Sequence, residues 1–258
     1  MRLLKAAALL ALALALPAAA PLDERDPYVP YWILEPLKDF QPVTVKSHEI
    51  FARVRMLPAT MLVLDEDYFQ DSGKLAAPKG TELIELRTRQ RVACAVYPPR
   101  LTGGASIMAW GTDRHLCFID ENADGRFDRY FYKQTNQGGF FYLVDRMPKT
   151  SKLGTGGKYS TRDPHGMTRA LTWLLSVDSC KPERGRCIVS AKLSVPGFDG
   201  ISSGPISINY AREFVLPLTG GAARLEFYDS VFTVRAAAEN GGTVTLERNF
   251  TETPFALL

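Results

Sequence analysis

The sequence predicts a mainly β fold, an antiparallel sandwich or a barrel-like arrangement of sheets, and three observations carry that expectation. Apolar residues alternate with polar or small ones over many short runs, which suits strands with one buried face. Gly, Pro, Asn and Asp punctuate the intervals between those runs, as hairpin connections require. No long stretch shows a clean 3.6-residue apolar stripe, so helices are not expected to build the core.

Taken in order, residues 1–20 read as a signal peptide. Arg2 and Lys5 supply a basic start, Ala6 to Leu16 an apolar run, and Ala18-Ala19-Ala20 a small-residue cleavage region. The run is too short to span a bilayer comfortably. The expectation is an exported chain, periplasmic or secreted, with no transmembrane segment after processing. Taking Arg2 and Lys5 from the 31 basic residues leaves 29 against 28 acidic ones, a net of +1. Such balance gives no electrostatic basis for binding nucleic acid or an anionic membrane surface.

Residues 21–147 are expected to form an N-terminal β region. It begins with a proline- and aromatic-rich arm (Pro27, Pro30, Trp32, Pro36) lying extended across a sheet. Strand-type runs follow at Val43–Val45, Met61–Leu64, Leu83–Leu86 and Val92–Val96, then at Ile107–Trp110 and Leu116–Ile119. Asp65-Glu66-Asp67 reads as a solvated acidic loop, and the aromatic run Phe140–Val144 as core and cross-strand pairs. Residues 148–166 lose apolar periodicity and read as a flexible loop or linker. Their Gly154-Thr-Gly-Gly-Lys158 is not a phosphate loop, because Lys152 stands where the first Gly belongs and Tyr159 where Ser or Thr belongs. Residues 167–258 form a C-terminal antiparallel region. Alternating sets are Leu171/Trp173/Leu175/Val177, Val189/Ala191/Leu193/Val195 and Ile206/Ile208/Tyr210. Leu225/Phe227 follows, and then Phe232/Val234 joined to Val244/Leu246 across Asn240-Gly-Gly242.

Four cysteines in a chain bound for export favour disulfides. Cys180 and Cys187 flank a polar turn and read as a bridge closing a hairpin, which by elimination pairs Cys94 with Cys117. The other two connectivities stay open at this point.

The stretch with most chemical content is Asp120-Glu-Asn-Ala-Asp-Gly-Arg-Phe-Asp128. Oxygen-bearing side chains stand at alternate positions (Asp120, Asn122, Asp124), Gly125 can take the positive φ of a sharp bend, and Asp128 adds a further carboxylate. With the backbone carbonyl of Arg126, these are the ligands a hard cation such as Ca²⁺ wants from a short loop. The three ligand carboxylates Asp120, Asp124 and Asp128, with Glu121 beside them, repel one another, and a cation removes that penalty. A plain polar turn is the competing reading, since Asn, Asp and Gly also favour turns.

The opening resembles the D-x-[DN]-x-[DN]-G of an EF-hand loop, but Phe131 stands at the twelfth position and strands flank it. It is more similar to the D-x-D-x-D-G-x-x-D loops of integrin-type propeller blades and other extracellular calcium modules. That resemblance implies direct ligation by Asp128 with no twelfth ligand, and Ca²⁺ as the bound ion.

No catalytic constellation emerges. His48-Glu49 begins like a zinc-protease motif, but Ala52 occupies the second His position. No G-x-S-x-G elbow occurs. His165 beside Asp163 is the remaining general-base candidate and otherwise a polar loop residue. The favoured function is therefore binding or scaffolding by an exported calcium-binding β protein, with an envelope protein or a glycan as partner. The alternative is a secreted hydrolase, glycan-acting, with a structural calcium site.

Overall fold

Period-two burial shapes most of the described chain. The computed structural model describes residues 29–88, 90–95, 113–135, 149–155, 157–168, 170–194 and 211–256. The strands are β1 (Val29–Leu34), β2 (Val43–Val45), β3 (Glu49–Pro58), β4 (Met61–Leu64), β5 (Tyr68–Gln70), β6 (Leu75–Ala77) and β7 (Glu82–Arg87). There follow β8 (Arg91–Ala95), β9 (Asp113–Asp120), β10 (Arg129–Thr135), β11 (Ser151–Thr155), β12 (Tyr159–Arg162) and β13 (Leu171–Lys181). The last are β14 (Arg186–Ser194), β15 (Ala211–Pro217), β16 (Ala222–Phe227), β17 (Ser230–Ala236), β18 (Gly242–Arg248) and β19 (Phe255–Ala256). The pairings among these described strands are antiparallel. The fold is mainly β, as the alternation requires.

The strand order is β15-β14-β13-β3-β1-β7-β8-β9-β10-β11-β5-β6, with β4, β12 and β19 on side pairings, beside a separate four-stranded sheet β16-β17-β18-β2. β13 shows how the pattern works. Leu171, Trp173, Leu175 and Val177 are fully buried, while the residues between them are half-buried. Trp173 stands opposite Leu193 of β14 and Val54 of β3. Burying each Leu or Val of this kind contributes about 1.5–3 kcal/mol. The core built on this face takes in Trp32, Met56, Trp173, Phe227 and Phe232, and so joins both sheets.

Three expectations meet a different outcome. The proline-rich arm does not simply lie across a sheet: within its described residues, from 29 onward, β1 is inside one. Val29 and Pro30 pair with β7, whereas Trp32 to Leu34 pair with β3, and Trp32 is fully buried. Pro30 has no amide to donate, and it sits where the strand changes partners. The linker expected at 148–166 instead supplies β11 and β12. β11 pairs with β10 and β5 through its backbone, with its side chains largely outward, so it carries no apolar alternation to read. Finally β3, which begins at Glu49 after a turn through His48, is a ten-residue strand where none was expected. It pairs along β13, so strands from either side of 148–166 share one sheet.

Both disulfides form as read: Cys94 stands opposite Cys117 across β8 and β9, and Cys180 opposite Cys187 across β13 and β14. No cysteine is free. The expected signal segment, Ile107–Trp110, Asn136–Gly139, Phe140–Val144 and Ile206–Tyr210 lie outside the described residues. Among the described residues no helix is long and apolar enough to cross a membrane.

Candidate metal centre

β9 and β10 form a hairpin in which Ile119 stands opposite Arg129 and Cys117 opposite Phe131, so the acidic stretch is its tip. Phe131 is 2% exposed, in a cluster with Val92, Cys117 and Ile119. The twelfth position is thus a core residue. Phe127 is also buried, its ring stacked on Phe118 at 5.3 Å and on Tyr159 at 4.2 Å. These two anchors hold the tip from its C-terminal side, and the Cys94–Cys117 bridge braces it three residues before Asp120.

Asp120 is the buried end of the loop, at 1% exposure. Its Oδ2 accepts hydrogen bonds from Tyr159 Oη at 2.6 Å and from the Gly125 amide at 3.2 Å. Its Oδ1 is buried with no hydrogen-bond partner. A carboxylate oxygen in that condition is costly unless a positive group meets it.

The other expected ligands fold the tip through their side chains. Asn122 Oδ1 accepts from the Asp124 amide at 3.1 Å, Asp124 Oδ1 from the Arg126 amide at 2.9 Å, and Asp128 Oδ2 from the Glu121 amide at 2.8 Å. Asn122 Nδ2 also donates to Asp124 Oδ2 at 3.1 Å. Gly125 takes φ +83°, the bend the sequence assigns to it, and Ala123 takes φ +59°. Among the described residues no group of three or more His, Cys, Asp and Glu is gathered to hold a metal ion. Asp120, Asp124 and Asp128 therefore share one short tip, while Asp124 and Asp128 face main-chain donors.

The charges around the tip are matched elsewhere. Arg126 pairs with Glu66 at 3.2 Å, and Arg129 with Glu121 at 2.8 Å, so each has a carboxylate partner outside the ligand set. Glu66 belongs to the acidic cluster expected as a solvated loop. Glu66 and Asp67 are exposed, as a solvated loop requires, and the cluster also makes local bonds: Glu66 accepts from the Lys158 amide at 2.6 Å, Asp65 from Ser160 Oγ at 2.9 Å, and Asp67 from the Lys79 amide at 2.7 Å.

Sequence reasoning missed Tyr159, which lies far from the loop in the chain. In β12 only Tyr159 is buried, and the polar Ser160, Thr161 and Arg162 after it give no alternation that would have marked it. β12 pairs with β4, and an isolated bridge joins Arg126 to Lys158, which brings the phenol to Asp120. Burial, and then the hydrogen bond to Asp120, push the Tyr159 hydroxyl up to about 12, against the help of Arg91 at 3.3 Å. A raised pKa in the folded state gives stability that is full below about 10 and lost as pH rises toward 12. Tyr159→Phe keeps the ring on Phe127 and removes the donor. The expected cost at neutral pH in EDTA is about 1.5–3 kcal/mol, with a shallower alkaline loss, read by urea denaturation across pH.

The general-base candidate is clamped between two carboxylates. His165 Nδ1 lies 2.8 Å from Asp163 Oδ1, and Nε2 lies 3.1 Å from Glu252 Oε1. Asp163 first and Glu252 second raise the His165 pKa, and the His165 amide lowers that of Asp163. The sign follows: the His165 contribution is complete below about 6.5 and lost as pH rises through its higher folded value. Because these groups are exposed, solvent screens the contribution and it is expected to be small. Urea midpoints of the parent and His165→Gln should converge as pH rises from about 6 to 9.

Glu49 begins a strand, so the zinc-protease likeness has no helix to act on. Comparison with protein-family models, with characterised proteins and with solved structures gives no match.

Proposed function

We propose that this chain is an exported, calcium-binding β protein that acts by binding or scaffolding in the cell envelope or outside the cell. The observation that carries the reading is Asp120 Oδ1, a buried carboxylate oxygen with no hydrogen-bond partner at the head of the D-x-N-x-D-G-x-x-D tip. Asp120, Asn122, Asp124, Asp128 and the Arg126 carbonyl would hold the ion. A bound Ca²⁺ supplies the positive charge that three neighbouring carboxylates lack. The remaining work belongs to the chain: Tyr159 and the Gly125 amide orient Asp120, and Phe127 and Phe131 fix the tip on the sheet.

Export is supported by the two disulfides, since such bridges persist in oxidising compartments, and by the signal-like residues 1–20. Extracellular calcium modules bind at about 10⁻⁴–10⁻³ M. At the tighter end of that range millimolar calcium fills the site, which then serves the fold and not sensing. The direct test is native mass spectrometry of the processed chain in calcium. One ion per chain, lost in Asp120→Ala, is the expected result; an ion-free parent would refute the reading.

A further inference from the structure

A pocket of about 200 Å³ is lined by Leu34 of β1, Tyr228 and Asp229 of the β16–β17 turn, Glu252, Thr253, and Phe255 of β19. Each of these residues and its chain neighbours is described. The volume falls below the roughly 300–1,000 Å³ of drug-sized ligand sites, so it suits a head group. The β16–β17 connection is a two-residue turn between Phe227 and Ser230, where Gly or Asn is favoured at positive φ. Tyr228 stands there instead at φ +54°, and Glu252 takes φ +57°. A bulky residue seldom takes that conformation. The turn holds the Tyr228 ring 4.3 Å from the Phe255 ring, tilted by 39°. Tyr228 Oη is itself buried, so Tyr228 offers the pocket ring carbon and not its hydroxyl.

The charged residues among the described lining are Asp229 and Glu252, both carboxylates. Each has one oxygen committed to the protein. Asp229 Oδ2 accepts from the Thr251 amide at 2.9 Å and from Thr251 Oγ1, and Glu252 Oε1 faces His165 Nε2 at 3.1 Å. His165 is shared with Asp163, and Arg248 Nε donates to the Asp229 carbonyl at 2.7 Å. With His165 protonated, three carboxylates stand against one imidazolium and one guanidinium, a net of −1; with it neutral, the net is −2. Arg55, which donates to the His165 carbonyl, is offset by Glu35. Arg212 bears on the Tyr228 hydroxyl and does not line the pocket.

A cation within about 6 Å of an aromatic centroid, over the ring face, is attracted by the ring quadrupole, and the carboxylates add to that attraction. A primary ammonium would give up water for walls that are mostly carbon, and N–H groups left unmatched there are costly. A quaternary ammonium has no N–H to satisfy, and its methyl groups bury against Leu34, Tyr228 and Phe255. We propose that this pocket binds a quaternary ammonium head group of choline type. Tyr228 and Phe255 form its aromatic wall, and Asp229 and Glu252 supply the counter-charge. This goes beyond the calcium reading and shares no residue with the Asp120–Asp128 tip, so either can fail alone.

The test is isothermal titration of the processed chain with choline, with its carbon isostere 3,3-dimethyl-1-butanol, and with ethanolamine. Choline is expected to bind, and the other two to bind about tenfold more weakly or not at all. Phe255→Leu, which keeps apolar bulk and removes the π face, is expected to weaken choline roughly tenfold and to leave calcium-dependent melting unchanged. Thr253→Trp places a large ring in the pocket from an exposed position and is expected to abolish binding. It serves if Phe255→Leu fails to fold. Phosphatidylcholine vesicles form a second arm: binding to them as well as to choline assigns the head group to a lipid, and binding to choline alone to a solute. No choline binding up to about 10 mM, where a site of millimolar dissociation constant is filled, would overturn the proposal. So would equal affinity for the isostere or ethanolamine, or choline affinity untouched by both variants.

Discussion

Trp173→Ala is expected to cost about 3–5 kcal/mol, the loss typical of truncating a large buried aromatic side chain. Trp173 has no exposed surface, and its ring lies 5.5 Å from Phe227 and 6.4 Å from Tyr228, so it fastens β13 to the second sheet. For a chain of this size each kcal/mol moves the midpoint by about 2–4 °C, so the expected fall is roughly 6–20 °C. Trp173 Nε1 is buried without a hydrogen-bond partner. Trp173→Phe removes that unpaired donor along with part of the ring, and is expected to cost much less than the alanine. Calorimetry of the three proteins decides it; an alanine variant melting within about 2 °C of the parent would mean that the two sheets are not joined here.

Asp120→Ala is expected to abolish all calcium-dependent stabilisation. With a dissociation constant of about 10⁻⁴–10⁻³ M, about 10 mM calcium stabilises the parent by roughly 1.4–2.7 kcal/mol over EDTA. In the variant that difference should vanish. The absolute stability in EDTA is a poorer guide, because two effects oppose each other. The substitution removes the acceptor for Tyr159 Oη and the Gly125 amide, and it also removes the unpaired Oδ1. Urea denaturation of both proteins, each in calcium and in EDTA, isolates the ion-dependent part. A variant that keeps the parent's calcium increment would remove Asp120 from the site.

The fold was legible wherever one strand face is buried and the other wet. Leu171 to Val177 and Val189 to Leu193 announce their strands by alternation, and the Cys180–Cys187 bridge is marked by the turn it flanks, whereas Cys94–Cys117 followed only by elimination among three connectivities. Legibility failed where backbone pairing, not side-chain burial, makes the strand. β11 is bonded on both sides while its side chains face outward, so nothing in Ser151–Thr155 marks it. β3 had a signal that went unread. Ala52, Val54 and Met56 are buried between the more exposed Arg53 and Arg55, a clean alternation behind the distraction of His48-Glu49. At the site, the tip residues and the Gly125 bend could be read locally. Tyr159, Glu66 and Arg91 could not, because each reaches the loop through tertiary pairing: β12 on β4, the Arg126 ion pair, and β8 beside β9.

The central claim is that a divalent ion completes the Asp120–Asp128 tip, and a melting series on the parent chain in calcium, magnesium and EDTA tests it most directly. Calcium should raise the midpoint by roughly 3–11 °C over EDTA. Magnesium should give less, since it demands tighter octahedral geometry and gives up water reluctantly. Identical midpoints in calcium and EDTA would contradict the claim and leave the tip a hydrogen-bonded turn.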